Sequence, residues 1–439
     1  MPVERQLKKV LVITYYWPPS GGAGVQRWLK FSKYLQEYGW QPIIYTPENP
    51  EAPSQDFSLL QEIPESIEIV KTPIWEPYEF YKKLVGMKKG EKVNAGFLNE
   101  KKKPGMAEAF STWVRGNFFI PDARKFWIKP SIKFLINFLE DNPVDAIIST
   151  GPPHSMHLIA LGVKNELDLP WLADFRDPWT QIDFYHQLRL TQIADNKHKR
   201  LEKSVLAKAD IVTTVSKNWG KDLEALYPRK IEVVTNGFDP ADFGQNNGEL
   251  DKKFTLTHIG SLNKDRNPNF LWATLKEICT ENKTFAADLE IKFIGKTDIA
   301  VFEQLEKEGL IEKAKKVDYM PHKNVIAEAS RSQVLMLLIN NTPNVAGIIP
   351  GKIFEYLASY RPILCIAPHS GDSASIIRDS GAGVVVDFND SINLKATIFE
   401  FYAKYKDGKL AVSTGSINQF SRRTLTGSIA GLLDSITNK

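Results

Sequence analysis

Apolar residues along this chain fall into two series of short buried runs and amphipathic stretches. In the first, Lys9–Tyr15 (KVLVITY) reads as a strand covered on both faces, and Val25–Tyr38 places Trp28, Leu29, Phe31, Tyr34 and Leu35 on one helical face. Gln41–Thr46, Ile67–Lys71, Ala146–Ser149, Pro170–Asp174, Asp210–Val215 and Glu232–Thr235 predict further strands, with helices over His157–Glu166 and from Lys217. The second series starts at Phe254. Strands Phe254–Ile259, Leu289–Ile294, Lys316–Tyr319, Leu335–Ile339, Pro362–Ile366 and Gly383–Val386 alternate with helices Asn269–Thr280, Asp298–Glu308, Lys323–Arg331 and Lys352–Ser359. Such alternation predicts doubly wound parallel sheets. Asn236–Lys252 (NGFDPADFGQNNGELDK) is polar, bears glycines and reads as a linker. Ile417–Ile436 is an amphipathic helix expected to cross back to the first domain. The predicted class is α/β: two Rossmann-like domains facing a cleft, residues 1–236 and 253–412, with a C-terminal helix in 413–439.

Tyr81 to Pro104, rich in Lys and Gly, breaks the alternation and is expected to be a flexible insertion. Phe110–Trp127 then interleaves Trp113, Phe118, Phe119, Phe126 and Trp127 with Arg115, Arg124 and Lys125. This pattern suits a peripheral membrane or lipid-acceptor surface, and equally a helical hairpin with snorkelling cations.

Composition narrows the class. A chain of 439 residues exceeds one ordinary core, and a net charge of +4 is too mild for a dedicated nucleic-acid binder. The two cysteines, Cys279 and Cys365, form no disulfide framework or metal spacing, which suits a reducing cytoplasm. The basic N-terminus runs straight into a strand, unlike a signal peptide, and no apolar run approaches the roughly 20 residues of a membrane span. The expected location is the cytoplasm, with peripheral contact at the inner face of the cell membrane.

Candidate chemistry sits where strands end. After the first strand comes Gly21-Gly22-Ala23-Gly24, a loop whose backbone can approach a phosphate; its spacing is not G-x-G-x-x-G, and no ribose-binding acid follows, which disfavours NAD. His154 follows the Ala146–Ser149 strand and can bond a sugar hydroxyl or carry a proton. Asp174, Arg176 and Asp177 end another strand; they either bind acceptor hydroxyls or pair among themselves. In the second domain Arg266 precedes a helix and suits a diphosphate. Pro350-Gly351-Lys352-Ile353-Phe354-Glu355-Tyr356 opens another helix with a cation and a carboxylate on one side, which suits a diphosphate and sugar hydroxyls.

The Gly loop, His154, the strand leading to Arg266, the run Val215-Ser216-Lys217 … Val234-Thr235-Asn236-Gly237-Phe238-Asp239 and the stretch PGKIFEYLASYRP together resemble family-4 retaining glycosyltransferases of the GT-B fold. The resemblance implies metal-independent, cofactor-free transfer of a sugar from a UDP- or GDP-sugar, with retention, to a hydroxyl of a glycan or lipid-linked acceptor, in bacterial surface polysaccharide assembly. It places Glu355 on the donor ribose and His154 near the reacting carbon. The family's basic pair falls on Ser261 and Arg266, with Lys352 standing in for the cation missing at Ser261. A second family carboxylate falls on Gly347, leaving the amides of Ile348 and Ile349 to meet sugar or phosphate. The catalytic set is then His154, Arg266 and Lys352; the donor set adds Gly21, Gly22, Gly24, Ser261, Ile348, Ile349 and Glu355. A nucleotide-sugar epimerase and a non-catalytic nucleotide-sugar-binding protein are the alternatives; Ser261 and Gly347 favour the latter.

Overall fold

The computed structural model describes residues 7–52, 54–77, 106–243, 249–318, 320, 322–412, 415 and 417–438. The insertion expected over Tyr81–Pro104 lies outside them. The chain divides into two compact units, residues 1–235 with 422–439 and residues 236–421.

The first unit is built on seven parallel strands: β1 Lys8–Ile13, β2 Trp40–Pro47, β3 Glu68–Thr72, β4 Ala146–Gly151, β5 Trp171–Phe175, β6 Ile211–Thr214 and β7 Glu232–Val233. Their order is β3-β2-β1-β4-β5-β6-β7. Val10 to Ile13 have no exposed surface, as a parallel strand covered on both faces requires. The principal helices are α1 Ala23–Leu35, α2 Met106–Phe118, α3 Lys125–Asp141, α4 Ser155–Leu167, α5 Gln192–Lys208 and α6 Lys217–Leu226. The last long helix, Arg422–Thr437, lays Leu425, Ile429, Ala430 and Leu433 into the same core as Val25, Trp28 and Leu29 of α1. A Cβ on Gly427 would meet the Tyr38 ring at 2.9 Å, so glycine permits that close approach.

The aromatic-basic stretch Phe110–Trp127 spans α2, a turn and the start of α3. Trp127 and Ile120 are buried, whereas Phe110, Phe118 and Phe126 stay 56%, 58% and 42% exposed. Lys125 Nζ stands 5.0 Å from the Phe126 ring centre, and Trp75 packs edge-on against that ring. No helix among the described residues is long and apolar enough to cross a membrane.

The second unit holds six parallel strands: β8 Phe254–Ile259, β9 Leu289–Ile294, β10 Ala314–Val317, β11 Val334–Leu338, β12 Ile363–Ile366 and β13 Gly383–Val386. Their order is β10-β9-β8-β11-β12-β13. The winding reverses between β8 and β11. Asn269–Glu281, Ile299–Lys307, Lys352–Ala358 (α7) and Asp372–Ser380 are among its helices.

Three long helices, α3, α5 and Ser391–Lys406, have no counterpart in the sequence reading. In α5 the buried face carries Ala194, His198, Glu202, Val205 and Leu206. Two titratable residues on the inner face erase the apolar period that betrays a helix.

Candidate functional site

In a doubly wound sheet the crevice for ligands opens at the carboxyl ends of the strands, where the winding reverses. In the second unit that point lies between β8 and β11. Strand β8 runs out as His258-Ile259-Gly260-Ser261, and Gly260 turns the chain at φ 97°. Lys352, the first residue of α7, folds back onto this end. Its Nζ donates to the Ile259 carbonyl at 2.7 Å and lies 3.3 Å from His258 Nε2. The His258 ring is buried, with Nδ1 3.3 Å from the Met336 carbonyl of β11. Tyr356, one turn along α7, accepts the Ile259 amide at 3.0 Å. Arg266 approaches from the other side: Nε donates to Asn340 Oδ1 at 2.6 Å, and Nη1 donates to the Ser261 carbonyl at 3.3 Å. The Arg266–Asn340 bond joins the loops leaving β8 and β11, across the reversal point.

Burial, and then the charge of Arg266, bring Lys352 down to about 7, while Glu355 works the other way. Burial and the charge of Lys352 hold His258 well below the ordinary imidazole value. Ser261, Arg266, Lys352 and Glu355 thus come together in one place. An anion seated there gains from both cations.

Two sequence expectations change. The Ile348 amide donates to the Val345 carbonyl at 3.1 Å, so it is not available to a ligand, and Ile349 is buried. The amides of Ile353 and Phe354 donate to Pro350 and Gly351 at 3.0 and 3.3 Å. The start of α7 therefore offers the charge of Lys352 rather than a row of open N–H groups.

The first unit uses its polar groups differently. Asp174 has no exposed surface and accepts five hydrogen bonds. Arg27 Nε and Nη2 donate at 3.0 and 2.9 Å, Trp28 Nε1 at 2.8 Å, Thr150 Oγ1 at 3.0 Å and Thr213 Oγ1 at 2.9 Å. Burial opposes ionisation, but the Arg27 charge and these donors hold Asp174 below the usual carboxylate range. With its oxygens used up, Asp174 is a framework residue and not an acceptor ligand. Arg176 spends Nη1 and Nη2 on the framework, donating to the Gly24 carbonyl at 3.1 Å and to that of Pro152, which ties the Gly loop to the loop after β4, while its Nε is buried without a hydrogen-bond partner. Gly21 gives its amide to the Ser54 carbonyl at 2.9 Å, which withdraws that amide from any phosphate. Gly22 caps α1 at φ 95°. Asp177 stays half-buried, and burial raises its carboxyl above the usual range.

His154 stands at the N-cap of α4, stacked flat on Trp179 with ring centres 4.7 Å apart, and its Nδ1 is buried without a partner. Trp179 Nε1 donates to His198 Nδ1 at 3.0 Å, which fixes the plane on which His154 rests. Burial keeps His154 uncharged near neutral pH. Asp122 caps α4 from a distance through the amide and hydroxyl of Ser155, at 2.9 and 2.8 Å. His258, Asn340, Trp179 and Asp122 escaped the sequence reading. Only His258 left a signal there: a titratable residue one step from the end of an apolar strand.

Residues 99–242 match the family model described as Glycosyltransferase Family 4. Over that segment, about a third of its length, the chain is similar to family 4 glycosyltransferases. The match lies in the first unit up to Thr235, runs on to residue 242 and includes His154, Asp174 and Arg176. No curated protein matches the chain. Among solved structures it resembles a glycosyltransferase from Rickettsia africae, at 15% identity and TM-score 0.61, with 98% of each chain covered. It also resembles Anabaena HepE in complex with UDP, at 11% identity and TM-score 0.56, again with 98% of each chain covered. A putative UDP-N-acetylglucosamine 2-epimerase from Listeria monocytogenes follows, at 10% identity and TM-score 0.55, covering 98% of this chain and 96% of that one. These likenesses establish the GT-B fold, which carries more than one chemistry.

Proposed function

We propose that this chain is a glycosyltransferase that moves a sugar from a nucleotide diphosphate sugar to a hydroxyl of a glycan or lipid-linked acceptor, with retention and without a metal. The observation that carries the reading is the pair Lys352 and Arg266, fixed by uncharged acceptors at the reversal point of the second sheet. The likeness to HepE, solved with UDP and with UDP-glucose, supports a nucleotide-sugar donor. In this reading the two cations stabilise charge gathering on the leaving diphosphate. The bond from the anomeric carbon to the diphosphate breaks as the acceptor oxygen bonds that carbon from the same face. The acceptor's proton passes to the leaving phosphate oxygen. Glu355 takes the ribose hydroxyls, and His154, held neutral on Trp179, accepts a hydrogen bond from the transferred sugar. The exposed Phe110, Phe118 and Phe126, with the half-buried Lys125 beside them, supply a peripheral contact with the inner membrane face, where a lipid-linked intermediate of surface polysaccharide assembly would be met.

Purified chain offered UDP- and GDP-sugars with a panel of acceptors, products read by mass spectrometry, tests this. Lys352→Ala and Glu355→Ala should each cut transfer about a hundredfold while melting like the parent chain. Near-normal turnover in both would remove the site from the reaction. A sugar isomer formed without acceptor would replace transfer by epimerisation.

A further inference from the structure

We infer that His258 is a positioning residue for the donor diphosphate, acting through Lys352; this rests on the nucleotide-sugar reading above. A lysine ammonium has three N–H groups and no acceptor. One N–H meets the Ile259 carbonyl at 2.7 Å, and a second faces His258 Nε2 at 3.3 Å. In its charged form, the one that attracts an anion, Lys352 cannot accept, so Nε2 then presents its lone pair. The ring proton then belongs on Nδ1, where the Met336 carbonyl stands 3.3 Å away to receive it. The third N–H has no partner among the described residues and is left for a ligand.

What distinguishes this lysine is the charge of its holders. Lys292, also in the second unit, is buried where Lys352 is half-buried, and its ammonium is held by Asp251 at 2.7 Å and Glu328 at 3.2 Å. Those carboxylates cancel its charge. A carbonyl and a neutral imidazole fix Lys352 while leaving its positive charge uncancelled by them. Burial of His258 serves the same end, because a charged imidazole would repel the ammonium it is meant to hold. On β8, Phe254, Leu256 and His258 share one face by the strand period. An apolar residue would continue that buried face. A histidine there gives up apolar burial for one acceptor pointed at Lys352.

The experiment measures affinity for UDP or GDP, whichever the parent chain binds more tightly, and for the matching nucleoside. His258→Phe keeps a buried ring and removes the acceptor; His258→Gln retains a side-chain oxygen. His258→Phe should weaken diphosphate binding about tenfold, leave nucleoside binding unchanged, and be largely rescued by His258→Gln. Added to Lys352→Ala, it should change diphosphate affinity by less than about twofold, since its effect runs through that side chain. Equal losses for diphosphate and nucleoside, or additive losses in the double variant, would overturn the inference. If Lys352→Ala binds diphosphate normally, or the parent chain binds neither diphosphate, the nucleotide-sugar reading itself falls. If Lys352→Ala weakens binding and His258→Phe does not, only the role of His258 falls.

Discussion

The two sheets end in polar residues of similar kind and spend them in opposite ways. At the end of β5, Asp174 is answered by five donors, and its main partner Arg27 also bonds the carbonyls of Val234 and Thr235, at 2.9 and 2.8 Å. That cluster consumes its own hydrogen-bonding capacity and stitches α1, β4, β5 and β6 together. At the end of β8, Lys352 is held by groups that carry no charge, so its cation is placed but not neutralised by its tethers. Both regions look like clusters of charge in the sequence. The difference lies in whether donors and acceptors balance: a balanced cluster is framework, and an unbalanced one at the reversal point is prepared for a ligand.

The largest expected effect tests the balanced side. Asp174→Asn preserves shape but strands the buried Arg27 guanidinium, and breaking one partner of such a pair costs about 3–5 kcal/mol. The first thermal transition of the chain should fall, and diphosphate affinity measured well below that transition should hold. A normal melting curve with selective loss of acceptor use would return Asp174 to the acceptor site.

Much of this contrast was open to sequence reasoning, and its limits are physical. The parallel strands announce themselves because both faces are buried, as in Val334 to Leu338 of β11. Lys352, Glu355 and Arg266 were legible because their places after strands and before helices follow from the alternation. The partners were not. Nothing in the sequence says that Arg27, far ahead of Asp174 in the chain, arrives beside it, or that Asn340 receives Arg266. Saturation is a property of three-dimensional neighbours, so Asp174, whose five donors lie elsewhere in the chain, reads as a candidate ligand from sequence alone. Helix α5 escaped for a related reason, since His198 and Glu202 satisfy Trp179 and Thr180 from its buried face.

The next effect tests the unbalanced side by titration. Lys352 sits at about 7 in the unliganded chain, and a bound diphosphate favours its charged form, raising that value. Binding is therefore strongest below about pH 7; above it, binding must take up a proton, and affinity should fall by up to about tenfold per pH unit. UDP-glucose serves as the probe, because its diphosphate diester does not titrate between about pH 6.5 and 9. Lys352→Arg, whose guanidinium stays charged, should flatten the profile. A parent profile already flat across this range would mean that Lys352 does not meet the phosphate.

The smallest effect separates two ways of holding that phosphate. If backbone amides at the start of α7 cradle it, the glycine before Lys352 is needed for close approach, and any side chain there blocks the ligand. If the Lys352 and Arg266 side chains hold it, Gly351 is incidental. The geometry favours the side chains. Gly351 has φ −54° and ψ −33°, ordinary helical values, and a Cβ built on it meets nothing within 4 Å. The neighbouring amides of Ile353 and Phe354 are already bonded to Pro350 and Gly351. Gly351→Ala should therefore change diphosphate affinity by less than about twofold and add about 0.4–1 kcal/mol of stability by restricting the unfolded chain. A loss of tenfold or more, with the melting temperature unchanged, would move the phosphate from the two cations onto the backbone and make this end of β11 a second kind of anion site.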